Sequence, residues 1–215
     1  MALGGCRRTG PLSTLDPAAT GADAIASLWW LLLAGAAFIV ALVCTLMAIA
    51  YHRRPDGADD SHGKRWTHGW GLGFGIPVVL AALVAGIVLG ERLLPRGEAE
   101  ATIDAVASQW RWRFSIAGAP GGGETENVMH IPAGVAVDVR IHSDDVIHSL
   151  WIPRLAGKLD AIPGHVNTLR LDAVQAGEYE AVCAEYCGTG HRGHSFRVIA
   201  HDGESWRRRL AGEAR

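Results

Sequence analysis

The 215-residue chain has a formal net charge of −2, with 20 basic and 22 acidic side chains, and 49% of its residues are hydrophobic. This near balance gives no strong electrostatic field, so a role in binding nucleic acid has no support. The hydrophobic residues are unevenly spread along the chain, which favours a membrane section followed by a soluble section over two globular domains.

The first 23 residues are interpreted as an N-terminal leader. Their string LGGC, which ends at Cys6, is similar to the cleavage box of a bacterial lipoprotein. Lipidation of Cys6 and an unmodified flexible leader both remain open, because an acyl chain adds little to the membrane affinity of two spanning helices.

Residues 24–95 are predicted to form a transmembrane hairpin, with helices over about 25–51 and 68–92. The first apolar run contains no charged side chain and exceeds the ~20 residues that a helix needs to cross hydrocarbon. The second run contains Pro77, which a helix inside a membrane bundle tolerates.

The short loop between the two helices is basic. It carries Arg53, Arg54, Lys64 and Arg65. Short basic loops tend to stay on the cytoplasmic side, so both chain ends are expected on the outer side of the membrane.

Residues 96–203 are predicted to form an all-β domain, and residues 204–215 a tail or short helix. Short runs such as WRWRFSI, VAVDVRIH, EYEAVCA and SFRVIAH are rich in β-branched and aromatic residues and are separated by Gly, Pro and Asp. Several strands at this spacing predict an antiparallel sandwich or barrel. The glycine-rich segment 118–127 is interpreted as the tip of a surface hairpin.

The string CAEYCGTGHRGH at 183–194 carries the chemistry of the domain. It contains two thiols and two imidazoles, those of Cys183, Cys187, His191 and His194. Its three glycines, at 188, 190 and 193, predict a tight loop around a centre. Sulfur combined with imidazole favours copper or zinc over calcium or magnesium, and a sandwich fold can bring His148 beside the loop as a third imidazole.

Two simpler interpretations remain open at this point. The cysteines could form a disulfide in an oxidising compartment. A structural zinc site is the other, although the spacing Cys-x-x-x-Cys-x-x-x-His fits the usual paired ligands poorly. His142, His165 and His201 are interpreted as surface groups, and Cys44 as a lipid-facing or packing thiol in the first helix.

The chain resembles subunit II of the haem-copper cytochrome c oxidases over essentially its whole length. The matching motifs are LDP and LWW near the first helix, QWRW at 109–112, DDVIHSLWIP at 144–153, KLDAIPG at 158–164 and CAEYCGTGH at 183–191. The resemblance implies two transmembrane α-helices in a hairpin, followed by an all-β cupredoxin-like Greek-key barrel that holds the dinuclear copper centre CuA.

By this resemblance, Cys183 and Cys187 supply thiolates that bridge two copper ions, and His148 and His191 each bind one copper. The main-chain carbonyl of Glu185 is implied as a weak copper ligand. Its side chain is implied as a ligand of magnesium at the border with the catalytic subunit.

The resemblance also implies that Trp110 is the aromatic residue through which electrons enter. A tryptophan packed in the barrel is the alternative, and Trp112 is interpreted as packing. Asp145 and Asp160 match carboxylates near a docking or subunit border, and either could equally be a solvated turn residue.

His194 departs from the family pattern, in which a methionine stands three residues after the loop histidine. We hypothesise that His194 is a copper ligand and that it lowers the reduction potential and makes it sensitive to pH, because imidazole favours the oxidised metal more than thioether does. In the alternative, His194 turns to solvent.

The function implied is that of the electron-accepting subunit of a terminal oxidase. Cytochrome c would deliver electrons to the copper centre, which would pass them to haem held only by subunit I, for reduction of dioxygen to water. Further subunits and membrane lipid are expected partners.

Two alternatives remain, the CuA subunit of a nitric oxide reductase and a non-redox, membrane-anchored copper-binding or assembly module. A quinol oxidase subunit is disfavoured, because by resemblance such subunits lack the thiols.

Overall fold

The computed structural model describes residues 9–53, 63, 65–119, 123–172 and 174–213. These fall into two compact units. Ser27–Arg92 make up one, and the residues up to Ala26 together with those from Leu93 onward make up the other. Cys6, Arg54 and Lys64, on which the lipidation and topology predictions depend, lie outside the described residues.

Two helices are long and apolar enough to cross a membrane. Helix α1 spans Thr20–His52. The second begins as a π-helix over Arg65–Leu72 and continues through Pro77 as α2, Gly73–Leu93. Helix α1 therefore begins before the expected start near residue 25, because its first turns pack as part of the β-containing unit.

Ten strands are found among the described residues of the domain that follows. In chain order they are β1 (Ala101–Ser108), β2 (Arg111–Ile116), β3 (Thr125–Glu126), β4 (Val128–Pro132), β5 (Val137–Ser143), β6 (His148–Trp151), β7 (Leu159–Ala161), β8 (Asn167–Leu171), β9 (Gly177–Cys183) and β10 (Ser195–His201). They form two five-stranded sheets, in the orders β3-β2-β1-β5-β8 and β4-β10-β9-β6-β7.

This architecture confirms the predicted fold class, two apolar helices followed by an all-β cupredoxin-like domain. It differs from a purely antiparallel sandwich in two places, because β1 pairs with β5, and β4 with β10, in parallel. Such pairs need crossover connections, which period-two patterning does not reveal.

The core lies between the two sheets and follows from alternation along the strands. In β1, Ile103, Ala105 and Ala107 point inward and are buried, while their neighbours are only partly covered. Trp112 from β2 is fully buried and stacks on Phe114 with ring centroids 6.2 Å apart. Burying each large apolar side chain contributes roughly 1.5–3 kcal/mol, so this layer holds the sheets together.

The end of the leader is bound to the β domain. The Ala18 amide donates to the Arg154 carbonyl at 2.8 Å, and the Ala22 amide donates to the Leu155 carbonyl at 3.2 Å. The Arg154 guanidinium in turn bonds the main-chain carbonyl of Asp16 at 2.8 Å and lies 3.1 Å from its carboxylate. Residues 16–22 thus form a strap over the turn that follows β6.

The C-terminal residues form the expected short helix, α3, at Gly203–Leu210. Asp202 caps it by accepting from the amides of Glu204 and Ser205. His201, interpreted as a surface group, is half-buried, and its Nε2 lies 2.8 Å from Nδ1 of His130 on the neighbouring β4.

Two arginine–aspartate pairs cross the first sheet in different surroundings. Arg170 on β8 bonds both carboxylate oxygens of Asp138 on β5, at 2.6 and 3.1 Å, and also donates to the carbonyls of Arg96 and Gly97. Its side chain is only 5% exposed. Arg140 on β5 bonds Asp104 on β1 with the same bidentate geometry, but its side chain is 49% exposed.

We predict that Arg170→Met lowers the free energy of unfolding of the β domain by about 3 kcal/mol, because the partly buried Asp138 carboxylate and the linker carbonyls lose their buried donor. The matched change Arg140→Met should cost roughly 0–1 kcal/mol, as exposed ion pairs do. Urea unfolding of the detergent-solubilised chain, followed by near-ultraviolet circular dichroism, measures both. Equal losses would contradict the linking role of Arg170.

Candidate metal centre

One loop and one strand end bring the candidate ligands together. Cys183 ends β9, Cys187 and His191 lie in the following loop, and His194 directly precedes β10. His148 begins β6, which pairs with β9 so that Leu150 faces Cys183. The Cys183 amide donates to the His194 carbonyl at 2.9 Å and closes the loop at its base.

Four of these side chains form a buried group whose ligand atoms all lie within 4.8 Å of one another: His148, Cys183, Cys187 and His194. The two sulfurs are 3.9 Å apart and the cysteines are free, so this geometry is not that of a disulfide. Such a His/Cys/Cys/His group can bind copper.

Each imidazole approaches one particular sulfur. His148 Nδ1 lies 3.8 Å from Cys183 Sγ, and the Nδ1 atoms of His191 and His194 both lie 3.6 Å from Cys187 Sγ. All three predicted imidazoles are therefore at the thiol pair. His191 differs from the other two in being only partly buried.

Glu185 lies at the centre through its main chain. The Cys183 thiol donates to the Glu185 carbonyl oxygen, 3.3 Å away, so this oxygen faces the same space as the sulfurs. The Glu185 carboxylate points elsewhere and lies 3.8 Å from the Lys158 ammonium. Asp160 is a second neighbour of Lys158, at 4.0 Å.

Asp145 is an exposed residue in the turn before β6, and its carboxylate also holds a candidate ligand. Its Oδ1 lies 2.8 Å from His148 Nε2 and accepts the Val146 amide at 2.6 Å, and its Oδ2 accepts the Gln109 amide at 2.7 Å. Burial acts to raise the pKa of Asp145, but these hydrogen bonds outweigh it and lower the pKa. The carboxylate directs His148 Nδ1 toward the sulfurs.

Burial sets the protonation of the group. It raises the pKa of the Cys187 thiol, as does the adjacent Cys183, and it lowers the pKa of His194 to about 4. His194 is therefore a neutral imidazole at physiological pH, the form that binds metals. A metal ion must displace the thiol protons as it binds.

Trp110 packs directly against the loop that carries Cys187 and Gly190. Its indole Nε1 donates to the Cys187 carbonyl at 3.3 Å, and the Gln109 side chain donates to the same oxygen at 2.7 Å. A Cβ on Gly190 would stand 2.3 Å from Trp110 Cδ2, so only glycine leaves room for the ring. Trp110 is 42% exposed, whereas Trp112 is buried and stacks on His194 at 5.6 Å.

Sequence reasoning missed the roles of Gln109 and Gly190. It attributed all three loop glycines to backbone freedom, but of these only Gly188, with φ +116°, has a positive φ. Gly190 is required for space instead. Gln109 is the polar residue of the QWRW motif and directly precedes Trp110. A polar side chain at this position was the sequence signal that could have indicated a hydrogen bond to the loop.

Residues 117–201 match the family model described as the periplasmic domain of cytochrome c oxidase subunit II. Cytochrome c oxidase subunit 2 of Thermostichus vulcanus is 41% identical over 109 residues, which cover 49% of this chain and 32% of that protein. The subunit 2 of Alkalihalophilus pseudofirmus is 29% identical over 216 residues, covering 92% and 61%.

A third relative is cytochrome bo(3) ubiquinol oxidase subunit 2 of Pseudomonas putida, which is 36% identical over 104 residues, covering 48% of this chain and 32% of that protein. The chain spans less than two thirds of the length of each of these relatives.

We predict that Asp145→Ala weakens copper binding by roughly 10- to 100-fold, because loss of an outer hydrogen-bond partner leaves His148 free to reorient. Asp144→Ala is the matched control, since the neighbouring Asp144 carboxylate pairs with Arg113 instead of a histidine. Competition with a Cu(I)-specific chelator measures the affinities. An unchanged affinity in Asp145→Ala would show that His148 is held by packing alone.

Proposed function

We propose that this chain is the electron-accepting subunit of a haem-copper terminal oxidase. The proposal is supported by the match of its residues 117–201 to the subunit II family model and by its similarity to two cytochrome c oxidase subunits 2. Single electrons from cytochrome c would enter at the outer face and pass to the haem of subunit I, where dioxygen is reduced to water. The observation that carries the proposal is the convergence of two free thiols and three imidazoles beneath an exposed tryptophan.

The proposed centre holds two copper ions, which supply one-electron redox chemistry. Cys183 and Cys187 would bridge both ions, His148 and His191 would each bind one, and the Glu185 carbonyl would be a weak ligand. The protein contributes rigidity, because the sulfurs are buried and Asp145 fixes one imidazole before any metal binds. A prepared ligand geometry keeps the reorganisation on reduction small.

His194 is proposed as a further copper ligand in the position where the family has methionine. Two observations support this role. The side chain is 2% exposed, and its Nδ1 is as close to Cys187 Sγ as that of His191, at 3.6 Å. An imidazole here favours the oxidised metal, so the reduction potential should lie below that of a thioether-ligated centre.

Trp110 is proposed as the point of electron entry. It combines surface exposure with a hydrogen bond to the carbonyl of Cys187, a proposed ligand. An electron donor that stacks on the Trp110 indole would therefore be connected to the Cys187 sulfur through one hydrogen bond and the atoms of Cys187 itself.

The remaining partners are proposed from the family and the helices. The two apolar helices would bind subunit I and membrane lipid, with the basic loop in the cytoplasm and the β domain in the periplasm. The Glu185 carboxylate would bind magnesium at the border with subunit I, where Lys158, 3.8 Å away, would have to turn aside.

The likeness to a ubiquinol oxidase subunit raises quinol as an alternative electron source. The thiols and imidazoles argue against it, since a subunit that receives no electrons through copper has no need of four buried metal-ligating side chains. No observation favours a nitric oxide reductase or a copper-assembly module over the oxidase.

We predict two copper ions per chain and a seven-line mixed-valence signal in electron paramagnetic resonance, because one electron shared by two copper nuclei couples to both. Metal analysis and spectroscopy on the full-length chain in detergent measure this. Cys187→Ser should abolish the signal, and Cys44→Ser, which removes the exposed cysteine in α1, is the control. A single copper with a four-line signal would exclude the dinuclear centre.

We predict that Trp110→Ala slows reduction of the copper-loaded chain by cytochrome c about tenfold or more, equivalent to roughly 1.4 kcal/mol of activation free energy. Tyr186→Ala is the comparison, because Tyr186 is a 73% exposed aromatic residue in the same loop, with its ring against His191. Stopped-flow absorbance gives both rates. Equal slowing in the two variants would argue against a specific route through Trp110.

A further inference from the structure

We infer that His148, Cys183, Cys187 and His194 form a complete four-coordinate site for a single divalent ion of the zinc type, independent of His191. The inference rests on the proposed function, because the same thiols would hold copper in the assembled centre. The four buried residues, which we call the buried half of the centre, would hold a metal ion by themselves. The other half, which depends on His191, would not.

Three of the six distances within the group fit a tetrahedron around one ion, and all six are within 4.8 Å. Bonds of about 2.3 Å from zinc to sulfur and about 2.0–2.1 Å to nitrogen imply tetrahedral edges of roughly 3.8 Å between two sulfurs and roughly 3.5 Å between sulfur and nitrogen. The observed edges are 3.9 Å between the sulfurs, 3.8 Å from Cys183 to His148 and 3.6 Å from Cys187 to His194. Each needs to close by only a few tenths of an ångström.

The four side chains are also held in place. Their exposures are 0% for His148, 6% for Cys183, 3% for Cys187 and 2% for His194. Asp145 fixes the His148 ring, and Trp112 stacks on the His194 ring from the core side. A ligand set that is dry and oriented before binding has little entropy to lose when the ion arrives.

His191 stands apart from this set. Its Nδ1 reaches Cys187 Sγ at 3.6 Å, but it is not among the atoms that all lie within 4.8 Å of one another, and its side chain is partly exposed. It lies on the 3₁₀ turn His191–Gly193. The second metal position therefore depends on a more accessible ligand.

The identity of residue 194 decides which metal the buried half accepts. Two thiolates and two imidazoles in a tetrahedron are a preferred ligand set of zinc, whereas a thioether is a soft, weak donor that suits Cu(I). The sequence spacing of the two cysteines and His191 fits structural zinc poorly. In the folded chain, however, His148 and His194 complete a set of four ligands with the two cysteines, without His191. This chain should therefore retain zinc where a methionine at 194 would release it.

The test is a zinc titration of the metal-free, full-length chain in detergent against a chromophoric chelator. We expect one zinc per chain, and Co²⁺ in its place should give the intense visible absorption of tetrahedral thiolate coordination. His194→Ala and His194→Met should each weaken zinc binding by more than about 100-fold, beyond the range of outer-shell changes. His191→Ala should change it less than about tenfold, and His165→Ala, which removes an exposed histidine, not at all.

Equal weakening by His191→Ala and His194→Ala, or no zinc bound by the folded wild-type chain, would overturn the inference. Circular dichroism of each variant separates loss of a ligand from loss of the fold. Copper loading in parallel separates this inference from the proposed function. A seven-line copper signal without zinc binding removes only the zinc site, whereas zinc binding with the expected dependence but no two-copper signal removes only the dinuclear centre.

Discussion

The pairing of β6 with β9 is the constraint on which the candidate metal centre depends. It sets Leu150 opposite Cys183 and continues as a hydrogen bond of 2.9 Å from the Ala184 amide to the Ser149 carbonyl. This register brings His148, thirty-five residues earlier in the chain, to the first thiol of the loop. A slip of one residue would turn the imidazole to the opposite face of the sheet, so the site and the sheet are specified together.

The proposed electron-entry surface and the candidate ligands are joined by one short network. The main-chain amide of Gln109 donates a hydrogen bond to the Asp145 carboxylate, and its side chain donates one to the Cys187 carbonyl. Asp145 in turn hydrogen-bonds His148. The residue beside the exposed tryptophan thus contacts both ligand-bearing segments. Displacement of Gln109 would therefore disturb three groups together: the Trp110 indole, the His148 imidazole and the main chain of Cys187.

Much of this arrangement could be predicted from the sequence, because the informative patterns are local. Charge-free runs predicted the helices, alternating residues predicted the strands, and clustered thiols and imidazoles predicted a metal-binding loop. Interactions between distant segments were less accessible. The parallel β1–β5 and β4–β10 pairs, the bond from Asp145 to His148 and the fit of Trp110 on Gly190 all depend on register and shape. The contact between His201 and His130 was not predicted from the sequence for the same reason.

The strap of residues 16–22 affects how the domain can be isolated. Its amides and the Asp16 carboxylate cover Arg154 and Leu155, in the turn that directly follows the strand carrying His148. A secreted fragment that starts after α2 would lack these residues and leave main-chain carbonyls of that turn exposed to solvent. Joining residues 16–22 to the front of such a fragment, through a flexible linker that replaces both helices, would preserve their native contacts with Arg154 and Leu155.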